Sequence, residues 1–137
     1  MAGYLLDTGV LIRHLRNRPG YRVLLLRLNE EGELYISAFS RVEVLQGMRE
    51  HERKRTFLLL DGLTTHPLDR GTADRAGELL RVWRSRGTNI GGPDAVIAAS
   101  ALQLGVTLVT TNPRHFPMPE LSVLAADEDG QVTLAVR

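Results

Sequence analysis

The chain has 137 residues, of which 43% are hydrophobic and 24% are charged, and its formal net charge is +1. This size and composition are typical of one globular domain, so we expect residues 1–137 to form a single domain and exclude a histone-like polycation. Because the chain has no cysteine, disulfides and thiolate metal sites are excluded, and any metal must be bound by oxygen atoms or by histidine.

The start of the chain indicates where the protein works. Residues 1–7 do not combine a basic region with a long apolar run, as a secretory signal peptide does. The longest apolar stretches of the chain are far shorter than the ~20 residues that a membrane-spanning helix needs. We therefore expect a cytoplasmic protein that does not associate with membranes.

The hydrophobic pattern predicts short strands that alternate with amphipathic helices. In chain order we expect a strand at residues 4–6, helices at 10–15 and 20–31, a strand at 34–36, helices at 42–48 and 53–60, an extended segment at 64–68, helices at 69–86 and 94–103, a buried strand at 106–110 and an edge strand at 122–124. Residues 127–137 are polar and then apolar, and the pattern does not assign them to an element.

Individual residues mark where several of these elements begin and end. Ser37 or Ser40 is expected to cap the helix at residues 42–48. Pro93 fits the start of an alanine-rich helix, and Gly105 fits its end. The helix at residues 69–86 is expected to bury one stripe of apolar residues, namely Ala73, Ala76, Leu79, Leu80 and Trp83.

Repeated strand–helix units predict an α/β fold in which helices cover both faces of a parallel sheet. Ligands of such sheets bind at the carboxyl ends of the strands. Asp7 directly follows the first strand, and Asn112 follows the buried strand by two residues. Glu43 lies about one turn into the helix after the second strand, and Asp94 begins a helix that runs back across the sheet. We expect these four side chains to meet at one rim of the sheet.

Three neighbouring carboxylates would repel one another, and a hard divalent cation would remove that repulsion. Ligation by oxygen alone favours magnesium or manganese over zinc. Each acid also has a structural interpretation. Asp7 can be explained as a helix cap, and Asp94 as a first-turn acid that the helix dipole stabilises. When each residue is considered alone, this structural interpretation is favoured over a functional one. For Glu43 the structural and functional interpretations are evenly balanced.

Three blocks of sequence resemble the PIN domain family, and more narrowly the VapC-type toxins of bacterial toxin–antitoxin pairs. The blocks are residues 4–12 (YLLDTGVLI), residues 36–37 with 42–47 (IS and VEVLQG), and residues 94–101 (DAVIAASA) followed by Gly105, residues 108–112 (LVTTN) and Phe116. Their order and spacing cover nearly the whole chain. The resemblance implies a three-layer α/β/α domain with a central, mostly parallel sheet of four to five strands.

The resemblance also implies the composition of the site. It assigns Asp7, Glu43 and Asp94 as ligands of Mg²⁺ or Mn²⁺. The family's fourth acidic position is Asn112 here, which can hydrogen-bond a metal-bound water but cannot act as a base. The position that is usually acidic before the closing phenylalanine is His115, for which a loop-filling role is the favoured interpretation and contact with phosphate or metal are the alternatives.

Further residues near this site depart from the family pattern or support it. Gly9 replaces the commoner asparagine or serine. Thr8 and Thr110 are expected to orient a water or a carboxylate, with a helix cap and a strand end as the alternatives. Arg13, followed by Arg16 and Arg18, is expected to contact the RNA backbone, although a solvated helix face is the simpler explanation for each of them.

The function implied by the resemblance is metal-dependent endonucleolytic hydrolysis of RNA by the toxin of a VapBC-type pair. The implied partners are a second copy of the chain and a small VapB-like antitoxin. An antitoxin could dock on the apolar surfaces around Leu24 and Leu28 or around Leu45 and Met48, although these could equally belong to the core. The alternative function is a catalytically weak domain that binds RNA or protein, because Asn112 removes one ligand charge. A phosphotransfer receiver is disfavoured because the only lysine, at position 54, lies too early.

Overall fold

The structure, a computed structural model, describes residues 3–135. Within them the strands are β1 Gly3–Leu6, β2 Glu33–Ser37, β3 Thr64–His66, β4 Thr107–Thr110, β5 Val123–Ala126 and β6 Val132–Leu134. The α-helices are α1 Thr8–Leu15, α2 Tyr21–Glu31, α3 Ala38–Gln46, α4 Arg53–Asp61, α5 Arg70–Ser85 and α6 Gly92–Leu104. Short 3₁₀ turns occupy Glu50–Glu52 and Pro113–His115.

The strands form one sheet in the order β3-β2-β1-β4-β5-β6. The first five strands in this order are parallel to their neighbours, and β6 is antiparallel to β5. The expected α/β class with a mostly parallel sheet is confirmed, but the expected four to five strands are wrong because the sheet has six. The strands β1 and β4 lie at the centre of the sheet, where Leu6 pairs with Val109.

The sixth strand comes from the segment for which the sequence predicted no structure. Asp127 Oδ1 accepts hydrogen bonds from the backbone N–H groups of Asp129 and Gln131, both at 2.9 Å, and this closes a turn between β5 and β6. The chain can therefore reverse and pair β6 with β5. As a result β5 is an inner strand, and the prediction that residues 122–124 lie at the edge is wrong.

Side chains of the central strands alternate between two hydrophobic cores, one on each face of the sheet. Leu5 and Leu108 pack with α5 and α6 in one core. Leu6 and Val109 pack with helices α1 to α4 in the other. Two cores separated by one sheet confirm the three-layer α/β/α arrangement. None of the helices within residues 3–135 is long and apolar enough to cross a membrane.

Helix α3 differs in detail from its prediction. Ser37, and not Ser40, caps it, since Ser37 Oγ accepts a hydrogen bond from Phe39 N at 3.1 Å. The helix ends at Gln46, so Met48 lies beyond it and not within it.

The buried face of α5 differs from its prediction at one position, and that of α2 decides between two alternatives. In α5 the buried residues are Thr72, Ala76 and Leu79, whereas Ala73 is exposed, so the predicted stripe was wrong at its first position. In α2, Leu24 and Leu28 are buried in the core, which confirms the core alternative and not the docking surface for these two residues.

Candidate active site

Asp7 stands at the carboxyl end of β1 and is also the N-cap of α1. Its backbone N–H donates to Val109 O at 2.9 Å, which ties this end of β1 to β4. The side chain is only 8% exposed. Its Oδ1 accepts a hydrogen bond from Thr8 N at 2.8 Å, and its Oδ2 accepts one from the Thr110 hydroxyl at 2.6 Å. Asp7 is therefore a helix cap, and it is also a buried carboxylate held in a fixed orientation by two donors.

Thr110, the last residue of β4, links Asp7 to the following loop. It is fully buried, and its hydroxyl oxygen accepts a hydrogen bond from the backbone N–H of Asn112 at 3.0 Å. The Asn112 side chain itself is exposed. Asn112 thus reaches the buried part of the site through its backbone, one hydrogen bond away from the threonine that holds Asp7.

Thr8 links Glu43 to Asp7 through hydrogen bonds. The Thr8 hydroxyl donates to Glu43 Oε1 at 2.6 Å, while Thr8 N donates to Asp7. Ser40 Oγ lies 3.0 Å from Thr8 Oγ1 and is fully buried. Since Thr8 has a single hydroxyl proton and gives it to the carboxylate, Ser40 donates in this second contact.

Ser40 was considered in the sequence only as a helix cap, and its contact with Thr8 was missed. One signal could have indicated it: Ser40 precedes Glu43 by three residues, which places both side chains on the same face of α3.

Asp94 lies in the first turn of α6, where the helix dipole favours a negative charge. The Nδ1 atom of His115, in the loop after β4, lies 3.3 Å from Asp94 Oδ2. The Asp94 side chain is 25% exposed and that of His115 is 56% exposed. The interpretation of His115 as a residue that only fills a loop is therefore wrong, because it contacts one of the three predicted ligands.

The three carboxylates influence one another electrostatically. Burial raises the pKa of Asp7, the hydrogen bonds from Thr110 and Thr8 lower it, and the charge of Glu43 raises it further. Burial also raises the pKa of Asp94, against the lowering effect of His115, and the charges of Asp7 and Glu43 raise it again. Asp7, Glu43 and Asp94, from three different elements, therefore form one region of concentrated negative charge.

The chemistry of this region fits a hard cation. Its carboxylate oxygens are the atoms that Mg²⁺ and Mn²⁺ prefer, and a positive ion would relieve their repulsion. Within residues 3–135, however, no three histidine, aspartate or glutamate side chains are arranged closely enough to hold a metal ion by themselves. Magnesium commonly uses one or two carboxylates and completes its shell with water and phosphate. The assignment of three protein ligands accordingly stays a prediction.

Two further residues border the site. A Cβ atom on Gly9 would lie 2.7 Å from Thr111 Oγ1, so the Thr111 hydroxyl fills the space that a side chain at position 9 would need. The same Cβ would lie 3.6 Å from Nη1 of Arg13. Arg13 therefore turns back toward Gly9, in the first turn of α1.

Comparison with known proteins places this arrangement in a family. The model of the PIN domain family matches residues 4–119. Ribonuclease VapC10 of Mycobacterium tuberculosis is 39% identical over 116 residues, which covers 85% of this chain and 87% of the relative. Ribonuclease VapC19 of the same organism is 37% identical over 119 residues, which covers 85% of this chain and 95% of the relative.

A solved structure shares the fold. The structure of VapBC2 from Rickettsia felis bound to a DNA fragment from their promoter contains a chain that superposes with a TM-score of 0.75. The superposition covers 88% of this chain and 96% of that chain, at 23% sequence identity.

Proposed function

The chain belongs to the PIN domain family, and from this premise we propose that it is a divalent-metal-dependent endoribonuclease that hydrolyses RNA phosphodiester bonds. The observation that carries the proposal is the site itself: Thr8 bridges Asp7 and Glu43 at one edge of the sheet, and the charges of these two acids raise the pKa of Asp94. The names of the two ribonuclease relatives support RNA as the substrate.

We assign Mg²⁺ or Mn²⁺ to this site, held by Asp7, Glu43 and Asp94 together with water. Such an ion, when bound, supplies Lewis-acid chemistry that activates water and neutralises charge on a phosphate. The protein's own contribution is to fix the ligands before the ion arrives. Thr110 and Thr8 hold the two oxygens of Asp7, and the Thr8 hydroxyl holds Glu43.

The remaining residues of the site act on the substrate. His115 lies beside Asp94, where an imidazole N–H can donate a hydrogen bond to an approaching phosphate oxygen. Asn112 has an exposed amide, which can hydrogen-bond a water or the substrate but cannot accept a proton as a base. Arg13 provides a guanidinium group, which matches a phosphate with parallel N–H donors.

We further propose that the protein is the toxin of a toxin–antitoxin pair, that it forms a homodimer and that a small antitoxin blocks the acidic edge. The similarity to a chain of the VapBC2 complex supports the antitoxin partner, and the family resemblance alone implies the homodimer. A basic side chain of the antitoxin could replace the charge of the metal among the three carboxylates. Static light scattering of the purified chain, alone and with its antitoxin, tests both assemblies.

Cleavage of a labelled RNA pool tests the proposed activity. We expect cleavage with Mn²⁺, none with EDTA, and a loss of at least about 100-fold in the Asp94→Asn variant. Asp74→Asn is the matched control, because Asp74 is exposed on α5 and is not part of the acidic edge. Equal cleavage by both variants would refute the proposal.

The alternative, a PIN domain that binds RNA or protein without cutting, is favoured by one observation. Asn112 brings no charge to the site, and no preformed group of three ligands is found in residues 3–135. RNA binding by the wild-type chain without any cleavage in Mn²⁺ would support this alternative. Asn112→Asp should then restore cleavage, if the missing charge is the reason.

A further inference from the structure

A basic pocket lies at the end of α1 that is opposite to Asp7. It is a cavity of about 570 Å³ at the α1–α2 turn, and it is lined by His14, Asn17, Arg18, Pro19, Gly20, Arg22, Val23 and Arg55. Three of these residues are arginines and none is acidic. Arg18 and Arg22 are exposed and form no salt bridge within residues 3–135. The pocket therefore has unneutralised positive charge.

The wall that α4 contributes is held in place by hydrogen bonds. Arg55 donates to Leu15 O at 2.6 Å, to His14 O at 3.2 Å and to Asn17 Oδ1 at 2.8 Å. Arg55 thus caps the carboxyl end of α1, and because its acceptors carry no formal charge, none of them forms an ion pair with it. In addition, His14 Nδ1 is buried without a hydrogen-bond partner in the described structure.

The opposite wall, the α1–α2 turn, is fixed to the β5–β6 hairpin. Gly20 has a φ of +84°, and a Cβ there would lie 1.8 Å from Asp129 O, so the two backbones are in close contact. The Tyr21 hydroxyl donates to Asp127 O at 2.6 Å. The Asp127 carboxylate is occupied by its own turn and is not part of the pocket.

The pocket is close to the acidic edge. The β5–β6 hairpin begins at the carboxyl end of β5, which is the same edge of the parallel sheet as the carboxyl end of β1. Helix α1 connects the two sites, with Asp7 at its start and His14 in its last turn, and its eight residues span about 12 Å. Arg13 lies between them, so one bound strand could contact all three places.

We propose that this pocket binds a phosphate group of the RNA strand that enters the acidic site. The inference rests on the proposed function for the identity of the ligand. Arginine guanidinium groups pair with phosphate oxygens in a planar, bidentate manner, and the absence of a lining carboxylate favours an anion. Because the pocket contacts phosphate and not bases, it would strengthen binding with little dependence on sequence.

An RNA-binding assay in EDTA tests the pocket without cleavage. Fluorescence anisotropy measures the affinity for a labelled single-stranded RNA at several salt concentrations. We expect Arg18→Glu/Arg22→Glu to lose at least tenfold in affinity. The slope of log affinity against log salt should fall by roughly 0.7, which is the contribution of one phosphate contact to a single strand. Arg27→Glu/Arg84→Glu is the matched control, because it makes the same charge change at exposed arginines outside the pocket.

Additional measurements separate the possible results. The neutral variant Arg18→Gln/Arg22→Gln should show a smaller loss in the same direction, and KM for cleaved RNA should rise with kcat unchanged. Equal RNA affinity of the pocket and control variants would overturn the proposal, and so would loss of antitoxin binding with RNA affinity intact. If the wild type never cleaves RNA but the pocket variant still loses RNA affinity, the proposed function fails and the pocket stands.

Discussion

At the scale of single residues, the site depends on two threonines that orient carboxylates. Thr110 is fully buried and bridges Asp7 and the backbone of Asn112. Thr8 bridges Asp7 and Glu43. Neither residue needs to touch the substrate to affect the reaction, because each fixes the position of an acid. They are positioning residues.

Thr110→Val tests this role. Valine keeps the shape of threonine but leaves Asp7 Oδ2 and Asn112 N without their buried partner, which costs about 1–3 kcal/mol of stability. We expect RNA cleavage to fall by about 10- to 100-fold and Mn²⁺ affinity to fall with it, as for residues that orient metal ligands. Thr107→Val is the control in the same strand, since among residues 3–135 its hydroxyl hydrogen-bonds Ser122 Oγ, at 3.3 Å, and no residue of the site. Similar losses in the two variants would contradict the assignment.

The Thr111 side chain limits the space that is available for a side chain at position 9. A Cβ at position 9 would lie 2.7 Å from Thr111 Oγ1, so Gly9→Ser should destabilise the protein by about 1–3 kcal/mol through overpacking. Removing the hydroxyl in Gly9→Ser/Thr111→Ala should recover most of that loss. Urea unfolding of the two single variants and the double variant gives the coupling energy. Purely additive effects would show that the two residues are independent.

At the scale of elements, the α1–α2 turn contacts the β5–β6 hairpin. This contact joins the basic pocket to the edge of the sheet. Gly20 and Gly87 both have a φ of +84°, but only Gly20 has a neighbour within 4 Å of an added Cβ. We expect Gly87→Ala to cost about 1 kcal/mol, from backbone conformation alone. Gly20→Ala should cost about 2 kcal/mol more, because it also separates the turn from the hairpin. Equal losses in urea unfolding would show that the contact does not stabilise the fold.

At the scale of the whole molecule, one cation is expected to couple β1, α3 and α6. An ion that binds only the folded chain stabilises it by about 2.7 kcal/mol when its concentration is 100 times its Kd. Thermal unfolding with and without Mn²⁺ should therefore show a rise in Tm for the wild type and for Asp74→Asn. The rise should disappear in Asp94→Asn. A full rise in that variant would place the cation elsewhere.

The sequence by itself determined the alternation of strands and helices, because apolar periodicity and the residues at helix ends act locally. It also located Asp7, since a residue directly after a parallel strand must lie at the carboxyl edge of the sheet. Asp7 and Asp94 could be placed at helix starts by this reasoning. The three-layer architecture followed from the same alternation together with the family resemblance.

Only the tertiary structure decided which side chains touch. Thr8 contacts Ser40 and Glu43, and His115 contacts Asp94. The residues in these contacts are about 20 to 35 positions apart, so the contacts depend on how the helices pack. The sixth strand likewise required β5 to offer a free edge. Such contacts depend on distances between elements, which local periodicity does not specify.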